Sequence, residues 1–204
     1  MSEKTVMIME ELSATVQNKY QDQAPEVNQK AAKIYECLCR ENPSDSKKIL
    51  MHTWEKIFPA IAYYKAMLEV TGNKEKSYAL VADNFNGHAE DTSKAIKRLC
   101  KIPFLYKLGP AIMKQILLKV FGKKSGFEMK EYPNEKGKCH IDMTVCPYWS
   151  YCVKYDCPEL GNAFCNSDDI SYGNMHPKLI WGRTKTLARG NDYCNFILEI
   201  NEKS

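Results

Sequence analysis

The chain has 204 residues, 44% hydrophobic and 26% charged, with a mean hydropathy of -0.47. That is the composition of an ordinary globular protein with a sizeable core, and it excludes a disordered or collagen-like chain. The formal net charge is +4 on 29 basic and 25 acidic residues, too balanced to make nucleic acid an expected partner.

From the amino terminus, Met1-Ser2-Glu3-Lys4 lacks a basic-then-apolar export signal, so a cytoplasmic location is expected. Apolar residues recur at three-and-four spacing over residues 7–19 and 27–38, predicting two helices separated at Ala24-Pro25. Asn42-Pro43-Ser44-Asp45 is turn chemistry that can cap a third helix, whose wide apolar stripe includes Ile49, Trp54, Ile57, Phe58 and Ile61. Pro59 should kink or break it. No membrane partner is expected, since the longest apolar runs, such as residues 57–64, fall far below the roughly 18 to 20 residues of a membrane span. Thr71-Gly72-Asn73 ends that segment, a further helix starts near Lys76 and contains His88, and another covers residues 110–119.

After Gly122-Lys123-Lys124-Ser125-Gly126 the period changes to two. Over residues 137–145, Cys139, Ile141, Met143 and Val145 alternate with Lys138, His140, Asp142 and Thr144, a strand with a polar display face. A weaker strand over residues 127–132 precedes it through Pro133-Asn134-Glu135-Lys136-Gly137. Residues 179–187 and 194–200 read as a second pair, with Arg189-Gly190-Asn191-Asp192 as their turn. Between the pairs, Asp156-Cys157-Pro158-Glu159 looks like a helix start. Cys165, Asp168 and Asp169 follow at three-and-four spacing, which puts a thiol and two carboxylates on nearly one helical face. The fold expected is α+β: a helical region over residues 1–124, then an antiparallel sheet of about four strands over 125–204, interrupted by a helical connection and forming either a second domain or part of one integrated domain. The pocket is expected between that connection and the polar side of the sheet.

Six of the nine cysteines lie in the last 80 residues, and the odd total with no export signal argues for free thiols, metal ligation or catalysis over a disulfide framework. Cys139, Cys146, Cys152, Cys157, Cys165 and Cys194, with His140, Asp142 and Glu159, are donors enough for zinc or an iron-sulfur cluster, but their spacings match no closed motif. No cofactor is assigned. Phosphate loops, Gly-x-Ser-x-Gly elbows and His-Glu-x-x-His helices are absent from the sequence.

The blocks Cys139-His140-Ile141-Asp142-Met143-Thr144-Val145-Cys146-Pro147, Cys157-Pro158-Glu159-Leu160-Gly161, Phe164-Cys165-Asn166-Ser167-Asp168-Asp169, Trp181-Gly182-Arg183-Thr184-Lys185-Thr186-Leu187 and Gly190 to Phe196, in this order, resemble the L-2-amino-thiazoline-4-carboxylic acid hydrolase family. The resemblance covers about residues 125–200. It implies addition of water across C2 of a 2-aminothiazoline ring, opening it to a carbamoyl-cysteine. Such a reaction needs a nucleophile or base at C2, an acid facing the amidine-like nitrogens and a cation for the carboxylate. Cys165 is the candidate nucleophile, Asp168 and Asp169 the amidinium partners or proton carriers, and His140 and Asp142 the activating groups. Arg183 suits a carboxylate clamp, and Thr144, Glu159 and Thr184 join it as substrate-binding candidates. A second likeness joins Gly190-Asn191-Asp192-Tyr193-Cys194-Asn195-Phe196 to the closing strand of vinyl-reductase-type ligand-binding domains. In those domains a cysteine matching Cys194 can bind zinc, although Thr186 stands where a further ligand cysteine is expected. That likeness implies the rival reading, a small-molecule-binding module without catalysis, with a homodimer contact through the amino-terminal helices at Trp54 and Ile57.

Overall fold

The computed structural model describes residues 3–133 and 135–201, with side chains described from residue 7 onward. Met1, Ser2 and Asn134, which belong to the expected amino-terminal reading and hairpin connection, lie outside the described residues. The chain is α+β, as the change of period predicts. Helices α1 (Glu3–Lys19), α2 (Ala24–Glu41), α3 (Lys47–His52), α4 (Phe58–Thr71), α5 (Lys74–Cys100) and α6 (Gly109–Val120) precede strands β1 (Glu128–Glu131) and β2 (Lys138–Val145). Helices α7 (Pro147–Lys154) and α8 (Gly161–Tyr172) then lead to β3 (Leu179–Trp181) and β4 (Cys194–Ile200). The antiparallel sheet has the order β1-β2-β4-β3, so the two predicted hairpins join through β2 and β4.

Local chemistry sets several element ends. The Ser46 side chain accepts from Ile49 N–H to cap α3, and Asn73 accepts from Lys76 N–H to cap α5. Pro59, expected to kink or break the third helix, marks a break in its α-helical ladder and falls in the first turn of α4. Residues Thr53–Ile57 form a π-helical turn between α3 and α4, in which Phe58 N–H bonds to Thr53 O, and the helix continues through the proline. Pro59 has no N–H for the regular ladder, and a wider turn just before it absorbs that loss. The predicted strand over residues 179–187 is also shorter than expected. Regular pairing stops after Trp181: Gly182 N–H still donates to Ile197 O at 2.9 Å, but beyond it Asn195 of β4 turns its side-chain oxygen to the backbone N–H groups of Thr184 and Lys185, at 3.0 and 2.6 Å, in place of a regular ladder.

Two apolar cores result. The first packs α1, α2, α4 and α5 around Leu12, Val27, Ile61 and Met67, and draws in Cys152, Cys157, Leu160 and Phe164 from the later helical connection. The second packs Met113 and Leu117 of α6 against Cys139, Ile141, Met143, Cys194, Phe196 and Leu198 on one face of the sheet. His52 rivets them together. Its Nε2–H donates to Val120 O at 3.0 Å, since a carbonyl can only accept, which leaves Nδ1 to accept the Tyr148 hydroxyl at 3.1 Å. Ile57 is fully buried in the first core and Trp54 packs half-buried against it, so the dimer contact expected through Ile57 is ruled out by its burial. No described helix is long and apolar enough to cross a membrane.

Candidate active site

A cavity of about 210 Å³ opens where the two cores meet. Its walls come from α5 (Phe85), α6 (Met113, Leu117), the sheet (Met143, Phe196) and the connection (Tyr148, Trp149, Phe164). Gly161 begins α8 beneath Trp149, where a Cβ would approach the indole to 2.8 Å, so only glycine lets helix and ring come this close. The polar lining is Lys56, Cys146, Cys165, Ser167, Asp168, Arg183 and Cys194.

The cavity lies on the apolar side of the sheet, which corrects the expected placement on the polar side. The display-face residues of β2 satisfy one another elsewhere. Asp142, 5% exposed, accepts the Tyr132 hydroxyl at 2.7 Å and faces His140 Nε2 at 3.2 Å, while the His140 and Tyr132 rings stack 3.9 Å apart. His140 and Asp142 therefore do not reach Cys165 or Asp168. Thr144 is exposed and donates to Glu128 O, and Thr184 is exposed and bonds Asn195, so neither joins the cavity wall. Glu159 stands apart as well. It accepts the Tyr64 hydroxyl and pairs with Lys74 Nζ at 2.9 Å, tying α4 and α5 to the connection. Burial pushes its carboxyl up, but those two hydrogen bonds outweigh burial and hold it below the usual range.

Cys165, Asp168, Asp169 and Arg183 do come together. The Arg183 side chain is 1% exposed and is gripped from α8: Nη1 donates to Asp168 Oδ2 at 3.0 Å, Nε to Asp169 Oδ1 at 2.9 Å, and Nη2 to the Cys165 carbonyl. Three of its five donors are thus committed inside the protein. Instead of standing free as a clamp, Arg183 neutralises the acids beside it, which offsets the cost of its own burial. Asp169 is saturated, with Trp181 Nε1 on Oδ1 at 3.0 Å and Arg189 on Oδ2 at 3.1 Å. Burial pushes its carboxyl up, but the hydrogen bonds from Arg183 and Trp181 keep it below the ordinary range.

Asp168 differs. Only Oδ2 is engaged, and Oδ1 has no hydrogen-bond partner among the described residues. Its side chain is 37% exposed, and it lines the cavity. Burial raises its pKa and the neighbouring Asp169 charge adds to that; Arg183 opposes them, and the result is a carboxyl pushed up to about 6.

Three sulfurs face the same space. Cys165 donates its S–H toward Cys194, which pushes the Cys165 thiol up, and burial adds to that. The neighbouring Cys165 and the Leu187 N–H, at 3.2 Å, hold Cys194 low. Burial pushes Cys146 up to about 12. Among the described residues no three His, Cys, Asp or Glu side chains are grouped as a metal site would require. The residue pattern offers Cys146 and Cys194 only as metal donors, Cys194 also through the zinc likeness, and does not single out Lys56. Periodicity carries no signal for Lys56: it lies in the π-helical turn before Pro59, and that turn carries its exposed side chain to the rim, where its charge acts on Asp168.

Comparison with curated proteins and with solved structures gives no match. The model of one family, L-2-amino-thiazoline-4-carboxylic acid hydrolase, matches residues 50–198, a span that holds the whole polar lining of the cavity. The chain belongs to the L-2-amino-thiazoline-4-carboxylic acid hydrolase family.

Proposed function

We propose that the protein hydrolyses a small cyclic amidine of the 2-aminothiazoline-4-carboxylate kind, with Asp168 as the proton carrier. The observation that supports this reading most is the contrast between the two adjacent acids at one buried arginine: Asp169 is saturated and held ionised, while Asp168 offers the cavity one unpartnered oxygen and titrates near 6. A carboxyl of that pKa can accept a proton at neutral pH and return it within one turnover. The cavity volume of about 210 Å³ suits a single small heterocycle better than a nucleotide.

In this reading the ring lies among the aromatic walls with its carboxylate toward Lys56 at the rim. Water adds to C2 as Asp168 Oδ1 takes one of its protons, giving a tetrahedral carbon. The C2–S bond then breaks, the electron pair leaves on sulfur, the thiolate takes the proton back from Asp168, and the remaining hydroxyl proton passes to the former ring nitrogen as the C2–O bond becomes a carbonyl. The product carries one added water as a carbamoyl group and a free thiol. A thiolate leaving group, with a pKa of about 8.5 as the thiol, needs less acid assistance than an amine would. Water, not Cys165, is the attacking group in this reading, and Arg183 acts by holding Asp168 in place.

Incubation of the purified protein with 2-aminothiazoline-4-carboxylate, followed by mass spectrometry, tests the reading. The parent should yield a product heavier by one water, and Asp168→Asn should lower the rate by about 10² to 10⁴. Saturable binding without product would favour the non-catalytic module, and neither binding nor product would remove the substrate assignment.

A further inference from the structure

We propose that the protein docks on anionic lipid bilayers through the exposed face formed by the end of α5, the turn after it and α6. Of the ten large apolar side chains exposed among the described residues, six fall in this one stretch: Leu99, Ile102, Phe104, Leu108, Ile112 and Ile116. Four of them, Phe104, Leu108, Ile112 and Ile116, are spaced by four residues, which sets a continuous stripe along the turn and the outer side of α6. The inner side of the same helix is already used, since Met113 and Leu117 are buried against the sheet. Phe104 stands out most, 70% exposed and held at φ 67 at the tip of the turn. A bulky residue rarely adopts that conformation, and water alone gives no reason to present an aromatic ring there.

The charge around the stripe identifies the occupant. Residues 92–127 contain nine lysines and arginines and not one aspartate or glutamate. Lys101, Lys107, Lys119, Lys123 and Lys124 are exposed and make no ion pair among the described residues. Lys107 lies over the Phe104 ring at 5.0 Å, and Lys48 of α3 reaches the same edge by donating to Lys119 O at 3.0 Å. An apolar stripe flanked by uncompensated lysines matches the interface of a bilayer with an anionic surface, where rings and aliphatic groups enter the acyl boundary and the lysines stay among the headgroups. A second copy of this face fits poorly, because it would bring one set of unpaired lysines against another. Nucleic acid fits poorly too, since the face presents aliphatic side chains where phosphate binding calls for polar ones. The expectation that no membrane is involved rested on the lack of a spanning segment, and docking of this kind needs none. Ile116 also lines the cavity, so the docking face lies directly behind one wall of the candidate site.

Vesicle flotation with the full chain tests the proposal, using phosphatidylcholine alone and phosphatidylcholine mixed with phosphatidylserine. The protein should float with the mixed vesicles only, and added salt should release it. Lys101→Glu with Lys107→Glu should weaken binding at least fivefold per lysine. Phe104→Ser with Ile112→Ser should weaken it about tenfold or more. All four positions are exposed, and unchanged melting temperatures would confirm that the variants fold. Three results overturn the proposal: no flotation with either vesicle, equal flotation with both that the lysine reversals leave intact, or light scattering that shows a dimer abolished by Ile112→Ser in protein that binds no vesicle.

Discussion

Asp168 and Asp169 are neighbours in sequence, share one arginine and still differ in state. Asp169 gathers donors on both oxygens and stays ionised, whereas Asp168 keeps one oxygen toward a low-dielectric cavity and is pushed up to about 6. Environment, not residue type, divides the work between them. Two outcomes follow at this scale. Arg183→Met leaves two carboxylates facing each other with no buried cation, so urea unfolding should show a loss of about 3 kcal/mol, the low end of the range for broken buried pairs because both acids retain some access to the cavity. Cys165→Ala removes a thiol that the proposed mechanism does not use as nucleophile, so steady-state rates should stay within about tenfold of the parent, in contrast to the loss at Asp168. A drop as large as that of Asp168→Asn would return Cys165 to the role of nucleophile. The pairing of thiol and acids on one helical face is legible in the sequence because helical spacing dictates it. The engagement of Arg183 by those acids is not legible, since its partners lie 14 and 15 residues away across a loop.

Elements deliver these side chains through two departures from regular structure. The π-helical turn Thr53–Ile57 accommodates Pro59 and places Lys56 at the cavity rim, and the break in regular pairing after Trp181, between the Gly182 and Lys185 bonds to β4, lets Arg183 turn inward. That stretch is held by Asn195, whose amide serves Thr184 N–H, Lys185 N–H and Thr184 Oγ1 at once. Asn195→Ala should therefore cost about 2 kcal/mol of stability by denaturant titration, from lost hydrogen bonds to a buried amide. It should also slow turnover, because the segment that aims Arg183 loosens; an unaltered rate would show that Arg183 is held by α8 alone. Helices and strands were legible from their periods, with most ends within a few residues, although β3 stops at Trp181, well short of the predicted end at 187. Both irregularities were hidden, because each arises from one side chain or one missing N–H acting on the backbone, and periodicity averages over such events.

For the whole molecule, the main lesson concerns sides. Alternation along β2 separates Cys139, Ile141 and Met143 from His140, Asp142 and Thr144, but a period of two cannot say which side other elements will cover. The polar side satisfies itself through Tyr132, Asp142 and His140, and the reactive groups collect instead where two apolar cores fail to close completely. Burial there shifts pKa values in a way that a solvated face could not. His52 holds that junction. Burial pushes its imidazole below the usual range, while the unfolded imidazole protonates near 6.5. Below that pH the unfolded chain binds more protons, so the stability His52 contributes is complete above about 6.5 and fades as pH falls through the lower folded value. Denaturation midpoints should therefore decline between about pH 7 and pH 5 more steeply in the parent than in His52→Gln; equal slopes would show that the imidazole does not couple the cores to pH.

The most direct measurement of the central claim is kcat/KM for 2-aminothiazoline-4-carboxylate across pH. With Asp168 as the proton acceptor, the rate should fall on the acid side with a midpoint near 6, and this limb should disappear with the activity in Asp168→Asn. A profile that runs flat through 6, or an Asp168→Asn enzyme that keeps the parent rate, would contradict it.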